Sequence, residues 1–193
     1  MKKKIRIGFD FDGVVAYNPF RICRYPISLI KKYLFGVQRL SFWYPHKKWQ
    51  QIFWIIIHES SVFPSKGVDL VQNMVKDKII EAHLITGRYS FLDHKLNTWL
   101  KRYCLDKVFK TININKNNEQ PHLFKEKMIK KLKLDYFIED NLDIVNYLEN
   151  SSYAKILWIY NITDYFYKRE SRYPYLKKAL EDIISKDKLK IKK

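Results

Sequence analysis

The stretch that most restricts the fold of this chain is an apolar run near the N-terminus that ends in two aspartates and a glycine. The stretch from Ile5 to Val15 contains an apolar run rich in β-branched residues, which predicts a buried β-strand that presents Asp10 and Asp12 at its carboxyl end, followed by Gly13. Because side chains alternate across a strand, Asp10 and Asp12 should point to the same face, about 6.5 Å apart along it. Two buried carboxylates are unfavourable unless a cation neutralises them. The stretch therefore indicates a metal site, a phosphate-handling site, or both.

A simple turn is the alternative interpretation of these two aspartates. An Asp-x-Asp tripeptide is common in loops, where each side chain accepts hydrogen bonds from the backbone. The apolar run before Asp10, the glycine after Asp12 and the polar residues that end later strands favour the functional interpretation.

The basic composition of the chain bears on its partners. Among 193 residues, 37 are Lys or Arg and 20 are Asp or Glu, so the formal net charge is +17. A field of this sign attracts phosphorylated ligands and polyanions. The lysines are spread along the chain, with small clusters at residues 2–4 and 186–193, which is typical of solvated helix surfaces. The charge thus permits nucleic acid as a partner without favouring it.

Several other classes of protein are disfavoured. Cys23 and Cys104 are far apart and lack the spacing of metal ligands, so neither a zinc site nor a disulfide framework is expected. The N-terminal stretch lacks the pattern of a cleavable signal, and the longest apolar run, Ile52–Ile57, is too short for a membrane span. We expect a cytoplasmic protein with no membrane association, present as a monomer or a homodimer.

Residues 16–75 differ in character from the rest of the chain. They are aromatic and basic, and they carry apolar residues at helical spacing over Phe20–Phe35 and His46–Ser60. Prolines and a glycine separate these segments. We predict a small, mostly helical cap inserted at 16–75, with 1–15 and 76–193 forming the core.

Strands and helices alternate after the insertion. The pattern predicts strands at 79–86, 108–114, 136–139 and 155–160, and helices at 68–77, 91–104, 123–132, 142–148 and 173–184. Repeated alternation of this kind predicts an α/β fold, a Rossmann-like three-layer α/β/α arrangement with a parallel sheet.

Polar residues end three of the predicted strands. They are the Asp10–Asp12 pair, Thr86, and the pair Glu139 and Asp140. Ligands of such folds bind at the carboxyl ends of the strands, where strand order reverses. Carboxylates with a hydroxyl suit Mg²⁺, which prefers a few hard oxygen ligands and keeps waters or phosphate oxygens for the rest.

Four pieces of sequence together resemble the haloacid dehalogenase (HAD) superfamily of phosphohydrolases. Its first motif, Asp-x-Asp-Gly after the first strand, matches residues 10–13, and its second, a Ser or Thr ending an apolar strand, matches Thr86. Its third is a lysine, for which Lys125 is the first choice and Lys127 the rival. Its fourth, an acidic pair ending a strand, matches Glu139-Asp140. The resemblance covers essentially the whole chain and implies a HAD-like core with a cap.

The resemblance implies a role for each matching residue. Asp10 would be the nucleophile and Asp12 the general acid and base. Thr86, Gly87 and Lys125 would hold the phosphoryl group, and Arg88 would bind substrate. Mg²⁺ would be bound by Asp10, the backbone carbonyl of Asp12 and Asp140, and Glu139 or Asp143 would support it through water.

The implied substrate is a small phosphorylated metabolite. A short chain with an aromatic helical cap looks most like the 5'-nucleotidase (deoxyribonucleotidase) branch, which acts on nucleoside monophosphates. Aromatic side chains of the cap could stack on the base, and the candidates are Phe20, Trp43, Tyr44, Trp49 and Trp54. Phosphatases of sugar phosphates or of nucleic-acid ends, and a catalytically silent HAD-fold binding protein, remain the alternatives.

Overall fold

A parallel sheet of six strands forms the centre of the molecule. The computed structural model describes residues 4–19, 40, 42–59 and 61–191. In chain order the strands are β1 (Ile5–Phe9), β2 (Ala16–Tyr17), β3 (Phe63–Pro64), β4 (Ile80–Tyr89), β5 (Thr111–Asn115), β6 (Tyr136–Glu139), β7 (Lys155–Ile159) and β8 (Arg172–Tyr173). The main sheet has the order β5-β4-β1-β6-β7-β8 with every pair parallel, and β2 and β3 form a separate antiparallel pair.

Helices cover both faces of this sheet. They are α1 (Lys48–Glu59), α2 (Val68–Lys76), α3 (Asp93–Arg102), α4 (Pro121–Leu132), α5 (Leu142–Ser151) and α6 (Leu176–Ile191), with short 3₁₀ turns at Ser90–Leu92 and Ile162–Asp164. Apolar residues of α2, α3 and α6 share one buried cluster with β1, and those of α4 and α5 share a second with β6 and β7. The predicted three-layer α/β/α fold is therefore confirmed. None of the described helices is both long and apolar enough to cross a lipid bilayer.

Strand β1 lies where the strand order reverses. It pairs with β4 on one side and with β6 on the other. The connections that leave the neighbouring strands run in opposite directions from this point, so a crevice forms at the carboxyl end of β1. Ile7 and Phe9 are fully buried, as expected for a central strand of a parallel sheet that is covered on both faces. Residues that directly follow β1 and β6 are thereby brought to one edge of the sheet.

The ends of the insertion are held together by the β2–β3 pair, in which Ala16 lies opposite Pro64 and Tyr17 opposite Phe63. Within it, α1 occupies most of the predicted helix at 46–60, whereas the predicted helix at 20–35 lies outside the described residues. Helix α2 buries Val68, Val71 and Met74 in the main core. Helix α2 therefore packs with the core although nearly all of it lies inside the predicted insertion, whose boundaries at 16 and 75 stay a prediction.

Three further elements differ from the sequence prediction. Strand β4 runs past Thr86 to Tyr89, with a shift of register against β5 between these two residues. The edge strand β8 has only two residues, too few to give a periodic pattern, and the last helix begins at Leu176 instead of Tyr173. These differences leave the ends of β1 and β6, which carry the acidic residues, unchanged, whereas Thr86 lies three residues before the end of β4.

Candidate active site

The two aspartates of the N-terminal stretch are buried but have different partners. The backbone N–H of Asp10 donates to the carbonyl of Ile138 at 2.9 Å, which continues the β1–β6 pairing by one residue. The Asp10 carboxylate faces Lys125, whereas the Asp12 carboxylate faces Arg88. Each aspartate therefore belongs to its own group of side chains, and the backbone between Asp10 and Asp12 connects the two groups.

Three carboxylates gather at the carboxyl ends of β1 and β6. One oxygen from each of Asp10, Glu139 and Asp140 lies within 4.8 Å of the others, and all three residues are buried. The chain turns directly afterwards because the Asn141 side chain accepts from the backbone N–H groups of Asp143 and Ile144 and so caps α5. The buried indole N–H of Trp158 donates to the carbonyl of Asp140 at 3.2 Å, which fixes this turn against β7.

The ammonium group of Lys125 bridges two of these carboxylates. Its Nζ lies 2.9 Å from Asp10 Oδ1 and 2.6 Å from Glu139 Oε2, and its side chain is 4% exposed. Lys127, the rival candidate, is 63% exposed and pairs with Glu119 instead. Lys125 lies on the buried face of α4, together with His122, Met128 and Ile129. This helical periodicity is a sequence signal that could have separated the two lysines.

The electrostatics of the cluster favour a further cation. Burial, followed by repulsion from Glu139, raises the pKa of Asp10 well above its ordinary value. Burial also raises the pKa of Glu139, although Lys125 opposes this. For Lys125 itself, burial acts to lower the pKa, but attraction to Asp10 and Glu139 is stronger and raises it. Lys125 compensates Asp10 and Glu139, and a divalent cation bound by the three carboxylates would further offset their negative charge.

The donor set and the backbone both fit Mg²⁺. All three groups of the cluster offer hard oxygen atoms, and no histidine or cysteine joins a cluster of this kind in the described part of the chain. Gly13 has φ of +88°, and a Cβ added there would lie 2.0 Å from Asp140 Oδ2. A glycine is thus required for the Asp140 carboxylate to approach the turn after Asp12.

The Asp12 carboxylate is held by two other side chains. Arg88 Nε donates to Asp12 Oδ2 at 2.8 Å and Arg88 Nη2 donates to Oδ1 at 2.6 Å. The hydroxyl of Ser61 donates to Oδ1 at 2.6 Å. The structure places the guanidinium of Arg88 on Asp12, and the predicted role of Arg88 in substrate binding stays a prediction.

Thr86 and Gly87 lie in β4 directly before Arg88, where the register against β5 shifts. Thr86 is buried, and its Oγ1 accepts from the backbone N–H of Arg88 at 3.2 Å. A Cβ on Gly87 would lie 2.8 Å from Cβ of Pro121, so the glycine allows the first turn of α4 to pack closely. Their predicted role in holding a phosphoryl group stays a prediction, as does that of the Asp12 carbonyl in metal binding.

Residues of the predicted site are thus distributed over two neighbouring groups. Asp10, Asp140 and Lys125 lie together, joined by Glu139. Support of the metal through water by Glu139 or Asp143 stays a prediction. The contact of Ser61 with Asp12 was not predicted, because it joins residues 49 apart in sequence and Ser61 belongs to no recognisable motif.

Comparison with known proteins supports the fold assignment by structure only. No protein-family model matches the sequence, and no curated protein matches it. Among solved structures, YfnB of Bacillus subtilis, assigned as a HAD hydrolase and solved with magnesium, is 12% identical, with a TM-score of 0.62 over 95% of this chain and 100% of that chain. A HAD-superfamily hydrolase of Ehrlichia chaffeensis is 12% identical, with a TM-score of 0.53 over 96% and 98%. CbbY of Rhodobacter sphaeroides, solved with phosphate, is 9% identical, with a TM-score of 0.55 over 91% and 96%. The chain therefore has the HAD-like fold.

Proposed function

We propose that this protein is a Mg²⁺-dependent phosphomonoester hydrolase that acts through an aspartyl-phosphate intermediate. The observation that carries the proposal is the position of Asp10, whose carboxylate lies beside the Lys125 ammonium and inside a buried carboxylate cluster. Such a carboxylate can act as a nucleophile toward phosphorus when neighbouring positive charge offsets the repulsion between two anions. The HAD-like fold and the four motifs in chain order support the same proposal.

Asp10, Glu139 and Asp140 would hold the metal ion, with the Asp12 backbone carbonyl as a further predicted ligand. The bound ion supplies electrostatic shielding between the anionic nucleophile and the anionic substrate. In the first step an oxygen of Asp10 forms a bond to phosphorus and the bond from phosphorus to the ester oxygen breaks. Asp12 donates its proton to that oxygen, so that an alcohol leaves.

The second step returns the protein to its starting state. The Asp12 carboxylate takes a proton from a water molecule, and the resulting hydroxide oxygen bonds to phosphorus. The bond between phosphorus and the Asp10 oxygen breaks, which releases inorganic phosphate and the free carboxylate. Lys125 offsets negative charge on the phosphoryl oxygens in both steps.

Nucleoside monophosphates are the substrates we propose. Among the candidate base-stacking residues, Trp43 is 45% exposed, packs edge-on against Trp54 and accepts a hydrogen bond on its carbonyl from Tyr89. Tyr89 directly follows Arg88, so an exposed aromatic ring of the insertion is linked to the end of β4 near the site. Tyr44 packs against Tyr89 and Phe91, which reduces its availability for stacking. Phe20 lies outside the described residues.

Sugar phosphates are the second candidate class. CbbY, which shares the fold, was solved as a variant with xylulose 1,5-bisphosphate. A phosphatase of nucleic-acid ends is a third, because the net charge of +17 attracts polyanions. Its turnover should fall steeply with added salt, whereas turnover of small substrates should depend less on salt.

The test is phosphate release from nucleoside monophosphates, sugar phosphates and a 3'-phosphorylated oligonucleotide, with Mg²⁺ and with a chelator. Wild type, Asp10→Asn and Trp43→Ala are compared. We expect Mg²⁺-dependent release that Asp10→Asn abolishes, and a loss on Trp43→Ala that is larger for nucleotides than for sugar phosphates. No release from any substrate by folded wild type with Mg²⁺ would contradict the proposed activity. Faster turnover of sugar phosphates would contradict the proposed specificity.

A further inference from the structure

The Asp12 carboxylate receives hydrogen bonds on both of its oxygens from two side chains that approach from different parts of the chain. Arg88 contributes a pair of nearly parallel N–H donors from β4, at 2.6 and 2.8 Å, and Ser61 contributes an O–H donor at 2.6 Å. The side chains of Arg88 and Asp12 are 4% and 10% exposed. A buried, two-point pair of this kind fixes the position and the orientation of the carboxylate.

Arg88 is itself fixed on its other sides. Its guanidinium carbon lies 4.5 Å from the centre of the Phe11 ring, and that ring packs edge-on against Trp99 at 4.9 Å. The backbone N–H of Arg88 is bound by Thr86. A guanidinium that stacks on a core aromatic ring and donates two hydrogen bonds to one carboxylate is held in place before any ligand binds.

Ser61 links Asp12 to the insertion. It lies two residues before β3, the strand that closes the insertion against β2, and it is buried. Ser65, which directly follows β3, is also bonded to the turn after β1, because its N–H donates to the Val15 carbonyl at 2.8 Å. The returning chain of the insertion therefore brings the Ser61 hydroxyl to a defined position on Asp12.

We infer that Arg88 and Ser61 are positioning residues for Asp12, the proposed general acid and base, and that Arg88 is not a substrate-binding residue. The inference rests on the proposed function. When Asp12 gives its proton to the leaving oxygen, negative charge develops on its carboxylate, and the Arg88 fork lies where it offsets that charge. The same two contacts keep the carboxylate in place for the second step, in which it takes a proton from water.

The experiment separates acid catalysis from binding by the leaving group of the substrate. For each enzyme, kcat/KM covers the steps through phosphoryl transfer to Asp10. An alkyl phosphate needs a proton on its leaving oxygen, whereas 4-nitrophenyl phosphate releases a stabilised anion and needs little acid assistance. We compare wild type, Arg88→Lys, Ser61→Ala and Ser61→Thr on these two substrates. Arg102→Lys, a change at an exposed arginine, is the matched control.

We expect Arg88→Lys to lower kcat/KM for the alkyl phosphate by about tenfold or more, with a change below about threefold for 4-nitrophenyl phosphate. Lysine keeps the positive charge but lacks the paired N–H donors with which a guanidinium binds both oxygens of a carboxylate. Ser61→Ala should show the same selective loss at smaller size, and Ser61→Thr should restore it. Thermal unfolding of each variant verifies that it is folded. If Arg88→Lys does not fold, the inference is tested with Ser61→Ala alone.

Two results would overturn the inference. Equal losses on both substrates with a raised KM would make Arg88 a substrate-binding residue, as the sequence had predicted. Unchanged kcat/KM in Arg88→Lys and Ser61→Ala would show that neither contact matters for catalysis. Both differ from failure of the proposed function, in which wild type itself releases no phosphate from either substrate.

Discussion

The Nζ atom of Lys125 lies 2.9 Å from Oδ1 of Asp10, although the two residues belong to α4 and to the turn after β1. The contact depends on α4 packing its apolar face on the sheet, which brings a buried ammonium to the carboxyl end of β1. Lysine is rarely buried unless it is paired, and here the pairing with Asp10 and Glu139 compensates its burial. The pair is the centre of the proposed site.

Removal of this ammonium should affect both activity and stability. In Lys125→Gln, we expect kcat/KM to fall by about a hundredfold or more, because phosphoryl charge loses its partner. We also expect the free energy of unfolding to fall by about 3 kcal/mol without added metal, since the buried carboxylates lose their counter-charge. Urea unfolding and phosphate release measure the two effects. Lys127→Gln is the matched control on the same helix and should change the free energy of unfolding by less than about 0.5 kcal/mol.

Added Mg²⁺ should raise the midpoint of thermal unfolding. The ion would bind the carboxylate cluster of the folded state only, and it would add about 2.7 kcal/mol at a concentration of 100 times Kd. Asp140→Asn should abolish most of this shift, while Asp69→Asn, at an exposed position in α2, should retain it. Thermal scans over a Mg²⁺ titration, reversed by a chelator, provide the measurement. An equal shift in both variants would place the bound metal elsewhere.

Gly13→Ala should combine backbone strain with loss of metal binding. The residue has positive φ, and its new Cβ would collide with the Asp140 carboxylate. We expect a loss of about 1–2 kcal/mol in the free energy of unfolding together with loss of the Mg²⁺-dependent shift. Gly67→Ala is the matched comparison, since it also has positive φ but its Cβ would meet the backbone of Lys177. It should lose stability and keep the shift, and loss of the shift in both would point to general unfolding.

His122 should make the protein less stable in mild acid. Burial lowers the pKa of its imidazole below the ordinary value of 6.5, and its Nδ1 is buried with no hydrogen-bond partner among the described residues. As the pH falls below about 6.5, the unfolded chain takes up a proton that the folded protein resists, so the free energy of unfolding decreases. His122→Phe, which keeps a ring between Phe42 and Tyr147, should remove this part of the pH dependence.

The measurement for His122 is urea unfolding at pH 7.5 and at pH 5.5. The decrease in unfolding free energy between these conditions should be smaller in His122→Phe than in wild type. His94→Gln, at an exposed position in α3, should behave as wild type. An unchanged decrease in His122→Phe would assign the acid sensitivity to other groups, of which His83 is the first to test because burial lowers its pKa as well.

The strand pattern and the polar strand ends were readable from sequence because both are local. A buried parallel strand is mostly apolar, so a carboxylate at its end stands out, as Asp10 and Glu139 do. The choice between Lys125 and Lys127 was less clear, since both lie in one lysine-rich helix and only the burial of one face separates them. The short strands β2, β3 and β8 gave no pattern to detect.

By itself, the sequence determined the α/β fold, the strand ends that meet at the site and the residue types available there, because strand and helix periodicity is encoded over a few neighbouring residues. Only the tertiary structure decided which side chain meets which. Arg88 pairs with Asp12 because β4 lies next to β1, and Ser61 joins them because the insertion returns across that edge. Contacts between residues so distant in sequence depend on chain packing, which no local pattern records.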